Sequence, residues 1–408
     1  MNRVEQKPPL WIIVFISGLP LFSETVYSPS LPEITKYFAC QENTAEHTLT
    51  IYLAAFALGM LLWGKLADRF GRRIGILSGF AVYLLGCWGC FIAPTISWFM
   101  AARFVQAFGA CVGSVLGQTI SRDSFTGKEL VRAYAAVGSA HAVFPALGPI
   151  IGGYIAQQFF WKTIFLFLIG VALCVIAIVY TLLPETLHQE HRLNVSMPRL
   201  FKKMVQDKMV IGLGLLIAAV SGIRFSYFSE APFYFMELLH LDAWWYTKSF
   251  IGISIAGVLA GMFCHRMHVR YSSYELMRMG IFIALSFVTT LLSFAISSFW
   301  ILYSSFVYII ISLLCIMGGM FGLGIVTTVA LPMALIDYRK VQGTASALFG
   351  FYYYFCTALV NFGMGHLHNH TLLIMPLYFF VIILTMIVVF YTFVRERVDE
   401  EQEEKVNI

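Results

Sequence analysis

The sequence predicts an all-α membrane protein of twelve transmembrane helices in two six-helix bundles, with both termini cytoplasmic. Three observations predict it. Of 408 residues, 59% are hydrophobic and 12% charged, with a mean hydropathy of +0.78, which is more apolar surface than so few charges can cover in a water-soluble chain. The apolar residues gather into about a dozen runs of the roughly 20 residues that a helix needs to cross hydrocarbon. The cations concentrate in alternate connections, and this marks those connections as cytoplasmic.

Taken in order, the first run, 10–38, follows a short stretch holding Arg3 and Lys7 and lacks a small-residue cleavage site, so it is expected to be a retained span. Runs at 46–66 and 74–94 flank the turn GKLADRFGRR, Gly64 to Arg73, where Lys65, Arg69, Arg72 and Arg73 surround Asp68. Charge that dense belongs at a water interface. The run 97–121 is separated from 131–157 by Arg122, Asp123, Lys128 and Arg132, and 162–183 ends the first half. A polar interruption, 184–207, carries Glu185, His188, Glu190, His191, Arg192, Arg199, Lys202 and Lys203. It divides the chain into an N-terminal bundle, 1–183, and a C-terminal bundle, 208–394. The latter contains runs at 208–237, 245–264, 276–297, 300–327, 341–365 and 372–394, followed by an acidic tail, 395–408. The outer connections hold only Lys36, Lys162 and Lys248. The net charge of +5 therefore follows topology and implies no nucleic-acid partner. The lipid bilayer is the expected surrounding, and the protein is expected to act as a monomer.

The eight cysteines are scattered and imply no disulfide framework. His366, His368 and His370 alternate in the loop after the eleventh run, but no carboxylate or fourth ligand accompanies them in the sequence. A hydrated loop is therefore expected there, with no metal and no cofactor. No catalytic constellation suggests an enzyme.

Ionisable groups inside spans are costly and mark function. Glu24 lies near the middle of the first span, Arg103 in the fourth, His141 in the fifth, and Arg224 and Glu230 in the seventh. Six residues along a helix is about 600°, so Arg224 and Glu230 do not share a face and should have different partners. Arg224 is open to three roles: a ligand for an anionic substrate, a partner of Glu24 across the cleft, or a structural ion pair elsewhere. Tyr27, Phe144, Tyr227 and Tyr353 are candidate aromatic walls for a substrate.

GKLADRFGRR resembles the signature turn between the second and third helices of the major facilitator superfamily, matching at Gly64, Asp68, Gly71, Arg72 and Arg73. RFVQAFGA, from Arg103, is similar to that superfamily's R-x-x-Q-G element, with Ala107 in the place of glycine. PALGPIIGGYI, from Pro145, resembles the element marking proton-coupled exporters, through Pro145, Gly148, Pro149, Gly152 and Gly153. SRDSFTGKEL, with Arg122 and Asp123, the pair Trp161-Lys162, LPETL, SYFSEAPF and GTASALFGF narrow the resemblance to the Bcr/CflA branch of drug:proton antiporters. It implies an inner-membrane exporter of amphiphilic small molecules, drug or metabolite such as a siderophore, working by alternating access. Glu24, Arg103, Glu230 and His141 would couple protons; Arg224, Glu24 and the aromatics would bind substrate. The glycine, proline and charged motif residues would gate, with Asp68 docking against the amino end of the eleventh span. The branch places its acid where Thr25 stands, one residue after Glu24, a rotation of about 100°. The rival readings are an importer on the same fold and, behind it, a transport-inactive sensor.

Overall fold

The computed structural model describes residues 7–187, 197–301 and 303–394; linker residues 188–196 and the acidic tail lie outside them. Span one is α1 (Leu10–Thr25) and α2 (Leu31–Phe38), joined by a 3-10 turn at Ser28–Ser30. Pro29 and Pro32 cause that break, because neither has the N–H that would continue an α-helical ladder. The first bundle continues with α3 (Glu42–Phe70), α4 (Arg72–Ile92), α5 (Ile96–Ser124), α6 (Gly127–Gln158) and α7 (Thr163–Leu182). The short α8 (Met197–Gln206) precedes the second bundle. That bundle comprises α9 (Lys208–Pro232) with a π-helical extension at Phe233–Leu238, α10 (Ala243–Met267), α11 (Ser273–Ser297), α12 (Ser305–Ala334), α13 (Gln342–Leu367) and α14 (Ile374–Phe393). Among the described residues, twelve helical segments are long and apolar enough to span a bilayer.

Within the first bundle α5 is the hub, packed on α1, α3 and α4; within the second, α12 packs on α9, α10 and α11. The bundles meet where α3 runs along α13 and α6 touches α10. The end of the molecule carrying GKLADRFGRR is termed the basic face. The bundles are joined at the opposite face by Lys36 to Glu237 at 3.1 Å, by Thr50 Oγ1 donating to Asn361 Oδ1 at 2.8 Å, and by His47 stacked on Phe362 at 4.8 Å. On α6, Gly153 abuts Thr247 of α10 at that face, whereas Gly138, nearer the basic face, has open space on its Cβ side.

Three departures from the sequence expectation bear on the architecture of the site and linker. The second span begins at Glu42, not 46, so Glu42 and Glu46 fall on one helix face a turn apart. The tenth begins at Ser305 because Ser304 caps it, accepting from the Val307 N–H, and its helical course runs on to Tyr338. The linker, read as a polar interruption, contains α8, which buries Leu200 and Met204 and exposes Arg199, Lys202 and Lys203. Asp207 then caps α9, accepting from Met209 and Val210 N–H groups at 3.0 and 3.3 Å.

Candidate functional site

Glu24 is fully buried where the two bundles meet, and neither carboxylate oxygen completes a hydrogen bond. The polar groups acting on it are Arg103 of its own bundle and Tyr354 and Arg224 of the other. Tyr354 is positioned by stacking on Phe56 of α3 with ring centroids 4.5 Å apart. Among the described residues no salt bridge joins Glu24 to Arg224. Tyr353 also faces Glu24. A buried carboxyl surrounded by cations and phenols, none of which locks it, can gain or lose a proton without breaking a fixed ion pair.

Arg103 is buried and, among the described residues, forms no salt bridge with a carboxylate. Its guanidinium lies between two phenol rings, 4.0 Å from the centroid of Tyr27 and 4.2 Å from that of Tyr52. Nη1 donates to Gln106 Oε1 at 2.6 Å, and Gln106 Nε2 reaches Ser23 Oγ and Cys87 Sγ at 3.4 and 3.1 Å. Arginine and glutamine three residues apart share a helix face. Tyr27 is in turn held by Thr48 Oγ1 at 3.0 Å. A desolvated cation over aromatic faces gains on the order of 2 kcal/mol.

The α6 motif explains the displaced acid. Pro149 has no N–H, so the carbonyl of Pro145, four residues earlier, has no helical donor. Thr25 Oγ1 supplies one at 2.9 Å. Thr25 is thus turned toward α6, and Glu24, one step back, faces the second bundle. Gly148 and Gly152 bring the α6 backbone against Thr25 and the Val26 carbonyl. A Thr25→Val protein is expected to lose about 1–3 kcal/mol, the cost of an orphaned buried carbonyl, read as a lower thermal midpoint in detergent. An unchanged midpoint would mean that another donor takes over.

Other sequence candidates fall elsewhere. Phe144 covers Gly18 and meets Phe15 edge-on at 6.0 Å. Tyr227 packs against Phe250 inside the second bundle. His141 Nε2 has no hydrogen-bond partner among the described residues. Asp68 is largely exposed, and its partner among the described residues is Arg72 and not α13; Arg72 Nε also donates to Asp123 Oδ2 at 2.9 Å. Arg122 lies 3.9 Å from Asp123. Glu185 accepts from the backbone N–H of Arg72 at 2.8 Å and of Arg73 at 3.2 Å, capping α4 in the role expected for α13. Arg73 donates to the Tyr180 carbonyl. Gly71 makes this possible with φ 104°, and a Cβ there would collide with the Glu185 carboxylate. Gly64 faces open space. The cluster is confined to the first bundle and the linker because the bundles are joined at the opposite face.

At that opposite face Glu230 meets His368, whose Nδ1 is 2.9 Å from Glu230 Oε2 and 3.3 Å from Glu46 Oε1; its Nε2 is 2.6 Å from Glu42 Oε2. The hydrated-loop expectation is corrected for His368, since the carboxylates missing from the local sequence arrive from α3 and α9, whereas His366 and His370 are exposed. The His368 side chain is only 4% exposed. Burial opposes its charge, but Glu230 and Glu42 outweigh burial and raise its pKa.

A family model for the Major Facilitator Superfamily matches residues 10–361. The chain belongs to the major facilitator superfamily. It is 32% identical over 393 residues to an uncharacterized transporter of Rickettsia felis, covering 95% of this chain and 97% of that protein. It is 26% identical over 341 residues to a bicyclomycin resistance protein homolog of Haemophilus influenzae, covering 82% and 83%. A solved E. coli xylose transporter, in a partially occluded inward-open conformation, superposes with a TM-score of 0.74 at 14% identity, covering 95% of this chain and 97% of that one, a likeness of fold. As a superfamily member the protein is a multi-pass inner-membrane transporter and not an enzyme.

Against that superfamily scaffold, sequence reasoning missed Glu42, Glu46 and Asn361. Asn361 accepts from Thr50 and donates from Nδ2 to Ser229 Oγ at 3.1 Å. The spacing of Glu42 and Glu46 was a usable signal. Trp161 and Lys162 prove to be an anchor: Trp161 is fully buried among Tyr37, Phe38, Phe99 and Phe165, and Lys162 donates to the Ala93 carbonyl at 2.9 Å.

Proposed function

We propose that this protein is a proton-coupled antiporter that exports amphiphilic small molecules by alternating access, with its basic face in the cytoplasm. The observation that carries this reading is Glu24, a buried carboxylate without a hydrogen bond, facing Tyr354 and Arg224 across the bundle boundary. Ionised, Glu24 presents a carboxylate to a cationic or hydrogen-bond-donating group of the ligand, with Arg224 and the Tyr354 hydroxyl beside it. Protonated, it loses that charge and holds the ligand less well. A proton and a substrate thus compete for the Glu24 carboxylate, the requirement for exchange. Each conformational turnover then carries a proton inward and a ligand outward, linked by differential affinity of the two states. The excess of cations on the basic face supports its cytoplasmic orientation. Similarity to a bicyclomycin resistance protein homolog supports a drug-like ligand.

The test is intravesicular pH in proteoliposomes under an imposed proton gradient, challenged with cationic, neutral and anionic compounds. Substrate-evoked proton movement opposite to substrate flux is expected; movement in the same direction would replace antiport with symport. Arg224→Ala should impair anionic compounds at least tenfold more than neutral ones, measured as initial rates. Equal losses would make Arg224 structural.

A further inference from the structure

Three carboxylates, Glu42, Glu46 and Glu230, and the imidazole of His368 converge from both bundles at the face opposite the basic turn, and among the described residues no lysine or arginine forms an ion pair with them. Glu46 is 1% exposed, its carboxylate points into the cluster, and neither oxygen completes a hydrogen bond, although Ser229 and Glu230 lie beside it. Two carboxylates and one imidazole with ligand atoms all within 4.8 Å of one another match a donor set for borderline divalent ions. Ligands about 2.0–2.2 Å from a shared zinc ion sit roughly 3–4 Å apart, so small side-chain rotations suffice. His368 Nε2, on the far side of the ring, lies 2.6 Å from Glu42 Oε2 without completing a hydrogen bond, so a small rotation of the imidazole would align it to donate its second N–H to a carboxylate, as metal-bound histidines commonly do.

We propose that Glu46, Glu230 and Nδ1 of His368 form a site for one divalent transition-metal ion of the zinc class, with Glu42 as positioning residue for the imidazole. Two ionised carboxylates neutralise such an ion, and the ion supplies the partner that the Glu46 oxygens lack. Because Glu46 belongs to the first bundle and Glu230 and His368 to the second, bound metal fastens the bundles together at this face. His370, exposed and 3.4 Å from Glu42, offers a first contact for an ion arriving from water. The site stands independently of the direction of transport and of the role of Glu24.

The experiment is Zn²⁺ titration by calorimetry into the metal-free, detergent-purified full chain, with Co²⁺ as spectroscopic probe. Saturable binding of a single ion per chain, a higher thermal midpoint with Zn²⁺, and a Co²⁺ spectrum without a thiolate charge-transfer band are expected. Glu46→Gln and Glu230→Gln should each abolish saturable binding, and Glu42→Gln should weaken it by about 10–100-fold. His265→Gln, at an exposed position away from the cluster, should leave it unchanged. Absence of saturable binding, a thiolate band, or wild-type affinity in Glu46→Gln would overturn the proposal. If a glutamine variant elutes as aggregate, the wild-type titration and Co²⁺ spectrum decide alone.

Discussion

Glu24→Gln protein in proteoliposomes is expected to exchange labelled for unlabelled substrate at equilibrium, while proton-driven accumulation falls to the level of protein-free vesicles. Glutamine keeps the shape of the side chain and resembles the protonated acid, so the packing around Phe56 and Tyr354 is preserved. What it removes is the ability to alternate between a neutral group and an anion facing Arg103 and Arg224. Exchange needs only the conformational change, whereas accumulation needs the charge to alternate. Proton-driven accumulation that survives the substitution would remove Glu24 from the mechanism. Loss of both processes, with normal elution on size exclusion, would make it a residue of the conformational change itself.

The second large effect is steric. In Gly152→Ala the added methyl would strike the Val26 carbonyl oxygen, a backbone atom that cannot rotate aside. The helices must separate, and overpacking of this kind costs about 1–3 kcal/mol. Separation also unseats the bond between Thr25 and the Pro145 carbonyl. A fall in thermal midpoint accompanied by slower transport is therefore expected. Gly138→Ala is the control, because nothing lies within 4 Å of its Cβ position and alanine favours a helix over glycine by up to about 1 kcal/mol. Similar losses in both variants would show that close approach of α6 to α1 is not the constraint.

These cases mark what could be read from residue order. Spans were legible because hydrocarbon thickness fixes a minimum apolar length, and the basic turn because dense charge must meet water. The R-x-x-Q-G resemblance singled out Arg103, but not the tyrosines that hold it. The partner of Glu24 was not legible: a one-residue step decides which bundle the carboxylate faces, and that step is set by a carbonyl freed 120 residues away in α6. His368 was misread for a related reason. Its carboxylate neighbours come from helices 138 and more than 300 residues distant, and local spacing carries no trace of them. Helix α8 was hidden by its charges, although Leu200 and Met204 had the interval of a half-buried amphipathic turn.

The aromatic cradle of Arg103 has a mechanical meaning. Tyr27, Tyr52 and Gln106 all belong to the first bundle, so this cation travels as part of one rigid body and keeps a constant relation to Glu24. It behaves as a stator: a fixed background field whose energy is the same before and after the bundles rock. Arg224 and Tyr354 ride on the other body and are the rotor. In the exchange proposed above, changing the charge of Glu24 would therefore do its work against the rotor alone, and a chemical event on a single oxygen would be converted into torque between two halves of the protein.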